Sequence, residues 1–280
     1  MGNADPSVSR TVRPFLRWVG GKRWLIPQLS ELIGDLKFRA YHEPFLGGAS
    51  AFFGLLPAGP SFLSDLNSEL IHTYATVRDD PAGVSRALKR HRNTEEYYYC
   101  LRAAQPRVDS TKAARFIFLN HTSYNGVYRV NRQGGYNVPF GRRDGIPRLP
   151  SEEDLEAAAS RLQGVTLSST DFAQCIDNIN EGDLVFLDPP YTVAHNHNGF
   201  VKYNQKLFSW EDQVRLSELV SEIRNRGAFY ILTNAAHLSV AELFEKGDRR
   251  IETSRRNAIG GLSASRGTAI EYLFTNVSRT

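Results

Sequence analysis

Asp183-Leu184-Val185-Phe186-Leu187-Asp188-Pro189-Pro190-Tyr191 is the stretch that decides the fold. Its apolar run, bounded by an acid at each end, predicts a buried central strand of a parallel sheet. Two consecutive prolines cannot extend a central ladder, so the strand has to end there. Ligands of open α/β sheets bind at this carboxyl edge. The loop offers one carboxylate, backbone carbonyls and one aromatic ring, which together suit a planar base with an exocyclic amine.

Strand and helix signals alternate on both sides of this stretch. Strands are predicted at residues 41–44, 61–64, 165–167, 228–233, 250–255 and 269–276. A helix is predicted from a capping box at Ser209 and Asp212 to about Arg226, and Gly227 closes it. Such alternation is typical of an α/β domain with a largely parallel sheet.

The segment 78–150 has a different pattern. Helical periodicity occurs at residues 84–90, 95–104 and 113–120, and two alternating runs around Gly134-Gly135 predict a β-hairpin. Residues 78–148 contain 14 Lys/Arg and 6 Asp/Glu, so the basic charge is concentrated here. We therefore predict one α/β domain formed by residues 11–77 and 151–280, an inserted basic domain at 78–150, and a disordered N-terminus at 1–10.

Composition narrows the classes of protein. The 280 residues carry a net charge of +4, a mild indication of a polyanionic partner. No apolar run approaches the roughly 20 residues of a membrane helix, and the N-terminus lacks a secretory pattern. A cytoplasmic location without membrane association is expected. Cys100 and Cys175 are far apart in sequence, which indicates a reducing compartment.

A second group of residues suits a nucleoside without phosphates. The turn Phe45-Leu46-Gly47-Gly48-Ala49-Ser50 lies between a predicted strand and a helix, where glycines allow close backbone approach. Asp65 follows the next strand and is placed to bind ribose hydroxyls. Asp171-Phe172 follows another strand and suits an adenine amine and ring. The full G-x-G-x-x-G fingerprint of dinucleotide sites is absent.

Four motifs in this order resemble the α class of DNA adenine-N6 methyltransferases, the Dam-type family. They are Phe15-Leu16-Arg17-Trp18-Val19-Gly20-Gly21-Lys22, Glu43-Pro44-Phe45-Leu46-Gly47-Gly48, Ser64-Asp65-Leu66-Asn67 and Asp188-Pro189-Pro190-Tyr191. The resemblance covers about residues 13–276. It implies an α/β, Rossmann-like S-adenosylmethionine-dependent methyltransferase sheet with an inserted, mainly helical target-recognition domain carrying the hairpin. One departure is the turn Phe-Leu-Gly-Gly-Ala-Ser, where Dam proteins more often carry Gly-Ala-Gly-Ser.

The resemblance also implies roles for individual residues. The catalytic motif is Asp188, Pro189, Pro190 and Tyr191. The expected contacts to the cofactor S-adenosylmethionine are Trp18, Lys22, Phe45, Gly47, Asp65 and Asp188, joined by Asp171 and Phe172 from the pattern above. Hydrogen bonds from adenine N6 to Asp188 and to the Pro189 carbonyl would free the nitrogen lone pair. A base within a duplex cannot reach this loop, so it has to flip out and stack on Tyr191. No metal is required.

Double-stranded DNA is the expected partner, and two kinds of contact are predicted. Lys89, Arg90 and Arg92 would meet phosphates. Asn125 and Val127 would enter the duplex near the vacated base, while Arg129 would read guanine or else only brace the hairpin. The remaining predicted DNA contacts are Arg17, Tyr124, Arg132 and Pro139.

Several alternatives stay open at this stage. Cytosine-N4 methylation uses a related pocket whose motif more often begins with Ser, and protein glutamine methylation uses one that begins with Asn. A non-catalytic DNA-binding relative is the third alternative. His195-Asn196-His197-Asn198 is interpreted as a polar loop and not as a metal site. The recognition sequence is open, with GATC only one candidate. A monomer is expected, in a bacterial, archaeal or phage setting, and any cognate restriction endonuclease would act separately.

Overall fold

Strands of the described chain assemble into one sheet. A computed structural model describes residues 12–131, 133–142, 147–191, 208–256 and 268–278, so the predicted N-terminal disorder lies outside it. The strands are β1 Tyr41–Glu43, β2 Ser61–Ser64, β3 Thr166–Ser168, β4 Leu184–Leu187, β5 Phe229–Ala235, β6 Arg249–Arg256 and β7 Thr268–Thr275. Their order across the sheet is β3-β2-β1-β4-β5-β7-β6.

The order of the strands creates a switch point between β1 and β4. β1 pairs in parallel with both β2 and β4, and β4 pairs in parallel with β5. β7 is antiparallel to both of its neighbours, β5 and β6. Ligands of doubly wound sheets bind outside the carboxyl ends of the strands where the order reverses. The β3-β2-β1-β4-β5 order confirms the predicted Rossmann-like sheet and brings the residues after β1 and β4 to one edge.

Helices account for most of the remaining described residues. They are α1 Ile26–Ile33, α2 Ser50–Leu55, α3 Ser68–Asp79, α4 Pro81–Leu88, α5 Glu95–Ala103, α6 Asp109–Thr122, α7 Glu152–Leu162, α8 Trp210–Asn225 and α9 Leu238–Phe244. Short 3-10 helices span Arg23–Leu25, Tyr124–Gly126 and Phe172–Asn178. α8 begins with the predicted capping box, in which Asp212 N donates to Ser209 Oγ and Ser209 N donates to Asp212 Oδ2.

The chain divides into two compact units. Unit 1 comprises the described residues of 1–26, 47–56 and 67–167, and unit 2 those of 27–46, 57–66 and 168–280. Unit 1 is helical and contains α2 to α7. Unit 2 contains strands β1, β2, β4, β5, β6 and β7. Its core includes Leu187, Leu216, Ile223 and Leu232. The predicted insertion at 78–150 lies within unit 1, and its boundaries stay a prediction.

The predicted hairpin is present in a short form. Val130 and Tyr136 form an isolated antiparallel bridge. Asn137 N donates to Arg129 O at 2.8 Å, and Asn131 N donates to Gly135 O at 2.8 Å. Among the residues that the structure describes, no helix is both long and apolar enough to cross a membrane.

Candidate active site

Asp188 follows β4 directly and is held by the neighbouring strand. Thr233 of β5 is fully buried and lies one residue beyond the paired Leu187 and Leu232. Its hydroxyl donates to Asp188 Oδ1 at 2.6 Å. Hydrogen bonds to charged acceptors are short and strong, so this bond fixes the carboxylate beside the strand end. The Asp188 side chain is partly exposed and therefore accessible.

Tyr191 ends the motif and is held through its hydroxyl. β4 ends at Leu187 and the two prolines follow, as predicted. The Tyr191 hydroxyl donates to Glu271 Oε2 at 2.7 Å. Burial, together with the charges of Asp188 and Glu271, raises the pKa of Tyr191 well above its ordinary value. The phenol is therefore neutral near pH 7 and acts as a hydrogen-bond donor.

Sequence reasoning missed both Thr233 and Glu271. Thr233 follows the apolar run 228–232, and its role depends on β5 lying next to β4. Glu271 interrupts the apolar pattern Ala-Ile-Glu-Tyr-Leu-Phe of β7, which is a signal because buried acids need partners. The partner itself is not visible in the sequence, since the two residues that form the bond are 80 positions apart.

Asp65 lies at the end of β2, next to the end of β1. Glu43 pairs with Leu63, so the carboxyl ends of both strands meet at the same edge. Leu46 N donates to Ser64 O at 2.9 Å, and Asp65 N donates to Ser168 O at 3.3 Å. The first bond places the start of the glycine turn beside the residue that precedes Asp65, and the second ties Asp65 to the end of β3; their shared cofactor role stays a prediction.

An aromatic cluster in unit 2 accompanies Asp171. Phe45 stacks on Phe172 with ring centroids 5.1 Å apart and an interplanar angle of 25°, and Phe208 packs edge-on against Phe45. Asp171 Oδ1 caps the 3-10 helix that follows it, and it also pairs with Arg215 at 2.6 Å. The Arg215 guanidinium lies 4.8 Å above the Phe172 ring. Arg215 is a neighbour that the sequence pattern did not identify.

In unit 1 the glycine turn packs against Trp18. Gly47 has a φ of +47°, and a Cβ there would lie 2.7 Å from Trp18 Cδ1 and Nε1. A Cβ at Gly48 would lie 2.8 Å from Trp18 Cβ. Tyr74 donates from its hydroxyl to Gly47 O at 3.1 Å. Lys22 is buried, and its Nζ donates to Gly20 O at 3.0 Å. Glycine is therefore required here for the close approach of the indole.

The turn before the hairpin presents exposed side chains. Tyr124 is 57% exposed. Asn125 has the left-handed φ of +55°. Tyr128 stacks on Trp18, with ring centroids 5.8 Å apart and an interplanar angle of 21°. Arg129 donates from Nε and from one terminal nitrogen to Asn137 O at 3.1 and 2.6 Å. These two hydrogen bonds support the bracing alternative for Arg129.

The other predicted DNA contacts lie at different places in unit 1. The backbone of Arg17 exchanges hydrogen bonds with the Asn120 side chain at 2.8 and 2.7 Å, and the Arg17 side chain is exposed. Lys89 forms an exposed ion pair with Glu152 at 2.6 Å. Exposed positions are also taken by Arg90, Arg92 and Pro139, while Val127 is partly buried. Arg132 and the His195–Asn198 loop lie outside the described residues.

Comparison with known proteins agrees with this arrangement. Residues 18–259 match the family model of the D12 class N6 adenine-specific DNA methyltransferases. The chain is 35% identical over 276 residues to the type II methyltransferase M1.LlaDCHI of Lactococcus lactis subsp. cremoris, covering 95% of each chain. It is 33% identical to the type II methyltransferase M.MjaIII of Methanocaldococcus jannaschii, covering 80% of this chain and 84% of that one.

A third relative is the DNA adenine methylase of Escherichia coli K12, which is 28% identical and 91% covered in both chains. The match of the family model across most of the chain, the near full-length identity to the first relative and the order of the sheet agree with one another. This chain belongs to the D12 class of N6 adenine-specific DNA methyltransferases.

Proposed function

We propose that this chain methylates N6 of adenine at a specific site in double-stranded DNA, with Asp188 as the residue that contacts the amine. The observation that carries the proposal is the pair of held groups at the end of β4. Thr233 fixes the carboxylate of Asp188, and Glu271 fixes the hydroxyl of Tyr191. A planar base with an exocyclic amine can donate hydrogen bonds to the carboxylate and stack on the aromatic ring, and each of these two groups is held by a buried neighbour.

The residues of unit 2 fit S-adenosylmethionine as the cofactor. Phe45 is partly exposed and stacks on the buried Phe172, so Phe45 offers the aromatic ring for an adenine and Phe172 supports it from behind. Asp65 lies at the end of β2, where a carboxylate accepts hydrogen bonds from ribose hydroxyls. When bound, the cofactor would supply an electrophilic methyl group carried on a sulfonium, and its sulfur would leave as a thioether. For unit 1, Trp18, Lys22 and Gly47 are proposed cofactor contacts by family membership.

Asp188 acts on the nucleophile. Adenine N6 is a weak nucleophile because its lone pair is delocalised into the ring. Hydrogen bonds from the amine to the Asp188 carboxylate and to the Pro189 carbonyl favour a tetrahedral nitrogen with a localised lone pair. After the methyl group is attached, the nitrogen releases one proton to solvent water, and much of the rate comes from the positioning of the reacting atoms.

DNA binding has to deliver the base to this loop. A stacked and paired adenine cannot reach Asp188, so we propose that the base flips out and stacks on Tyr191. In unit 1 the exposed Tyr124 and Asn125 would approach the vacated position. Lys89, Arg90 and Arg92 would meet phosphates. We also propose that the protein acts as a monomer in the cytoplasm of a bacterial, archaeal or phage-infected cell.

Product analysis tests this function directly. The purified protein is incubated with S-adenosylmethionine and duplex DNA that contains all short sequences, and the DNA is digested to nucleosides. The proposal expects N6-methyladenine as the modified nucleoside, confined to one short sequence. N4-methylcytosine as the product, or DNA binding without any methylated nucleoside, would refute it in favour of the alternative classes.

A further inference from the structure

Glu271 is a buried acid in an apolar strand of the sheet. It is 1% exposed, and it pairs with Ala235 in the register of β5 and β7. Thr233 is opposite Leu273 in the same register, so Thr233 and Glu271 lie on the same face of the sheet, diagonally across the strand pair. The two residues that hold the Asp188-Pro189-Pro190-Tyr191 motif therefore come from one small area of the sheet.

A buried carboxylate is costly unless hydrogen bonds compensate for its lost hydration. The Tyr191 hydroxyl provides such a bond at 2.7 Å, a length typical of a strong hydrogen bond to a charged oxygen. The bond attaches the far end of the ring to β7, while the near end is attached to the rigid Pro189-Pro190 backbone. With its hydroxyl bonded to Glu271 and its Cα in the rigid backbone, the ring cannot swing away about the Cα–Cβ bond.

We propose that Glu271 is a positioning residue for methylation, which holds the Tyr191 ring through its hydroxyl at the place where the target adenine stacks on it. The inference rests on the proposed function. Glu271 acts through Tyr191 and touches neither the base nor the methyl group. What it has to supply is a hydrogen-bond acceptor, so a glutamine in its place is expected to serve.

A double-mutant cycle tests this chain of contacts. Glu271→Leu and Tyr191→Phe each remove the bond, and each is expected to lower kcat about 10- to 100-fold, the cost of a misplaced reacting group. The double variant is expected to be no slower than the slower single variant, because both changes remove the same interaction. Glu271→Gln is expected to keep most of the activity, and the KM for S-adenosylmethionine is expected to stay unchanged.

Tyr230 and Asp248 provide a matched control in the same unit. The Tyr230 hydroxyl donates to Asp248 Oδ2 at 2.7 Å, which is the same chemistry and length away from the motif. Tyr230→Phe is expected to lower the melting temperature without slowing methylation. This control separates the loss of a buried hydrogen bond from the loss of positioning.

Three results would overturn the inference. The first is full activity of a folded Glu271→Leu variant. The second is a double variant whose decrease in kcat equals the product of the two single decreases. The third is a Glu271→Gln variant as slow as Glu271→Leu, which would assign the role to the negative charge. Nucleoside analysis of the wild-type reaction reports on the proposed function separately. If the wild type forms N6-methyladenine but the decreases in kcat of the two single variants multiply in the double variant, only the role of Glu271 is refuted. If the wild type forms no N6-methyladenine, both the proposed function and the role of Glu271 are refuted.

Discussion

Replacing Thr233 with valine removes the hydroxyl that holds Asp188 and nearly preserves the side-chain shape. The hydroxyl donates to Asp188 Oδ1 at 2.6 Å from a fully buried position. A hydrogen bond to a charged group contributes about 1.5–3 kcal/mol. If the carboxylate has to be fixed in the transition state, that loss corresponds to a decrease in kcat of roughly 10- to 150-fold.

Single-turnover methylation at saturating DNA and cofactor measures this decrease apart from binding. Thr275→Val is the matched control, because the Thr275 hydroxyl is also fully buried and donates at 2.6 Å, but to the carbonyl of Tyr230. Both variants are expected to lose some thermal stability, and only Thr233→Val is expected to lose rate. Equal single-turnover rates for Thr233→Val and wild type would show that the bond to Asp188 is structural.

Three further predictions concern recognition, the glycine turn and pH. Arg129→Ala is expected to cost about 1–3 kcal/mol at the cognate site and to relax discrimination at one base pair. Methylation rates on all single-base variants check this, and a uniform slowing would assign Arg129 to bracing. Gly47→Ala is expected to destabilise the fold more than Gly34→Ala in urea unfolding, since both have positive φ but only Gly47 would drive a Cβ into Trp18; equal losses would argue against that clash. Burial lowers the pKa of His91 from 6.5 to about 4. Between these two pH values His91 binds a proton in the unfolded state but not in the folded state, so the free energy of unfolding decreases as the pH falls from 6.5 to about 4. His91→Gln is expected to reduce that slope in urea titrations, and an unchanged slope would contradict the assignment.

Local signals were sufficient for the elements that carry the motif. The apolar run before Asp188 and the two prolines set both the burial and the end of β4. The capping box at Ser209 fixed the start of α8 because its bonds are made within four residues. The antiparallel position of β7 between β5 and β6 did not follow from the sequence, because strand pairing depends on contacts between distant segments.

The sequence did not reveal Thr233, Glu271 and Arg215 for the same reason: their contacts join distant segments of the chain. Thr233 and Glu271 act across strands, and neither belongs to a local motif that a reader of the sequence would recognise. Arg215 reaches Asp171 from another element, 44 positions away. The roles assigned to the cofactor-contacting and DNA-contacting residues stay predictions, since their ligands define them. What the structure adds is the set of neighbours that hold these groups in place.

The rate of methyl transfer by Asp188→Ala tests the central claim most directly. The variant is compared with wild type in single turnover at saturating DNA and S-adenosylmethionine, with circular dichroism and thermal unfolding to establish that it is folded. Because we propose that Asp188 accepts hydrogen bonds from the adenine amine, N6-methyladenine formation is expected to fall to the limit of detection while DNA binding persists. Substantial turnover by the folded variant would contradict the claim that this carboxylate at the end of β4 performs the chemistry.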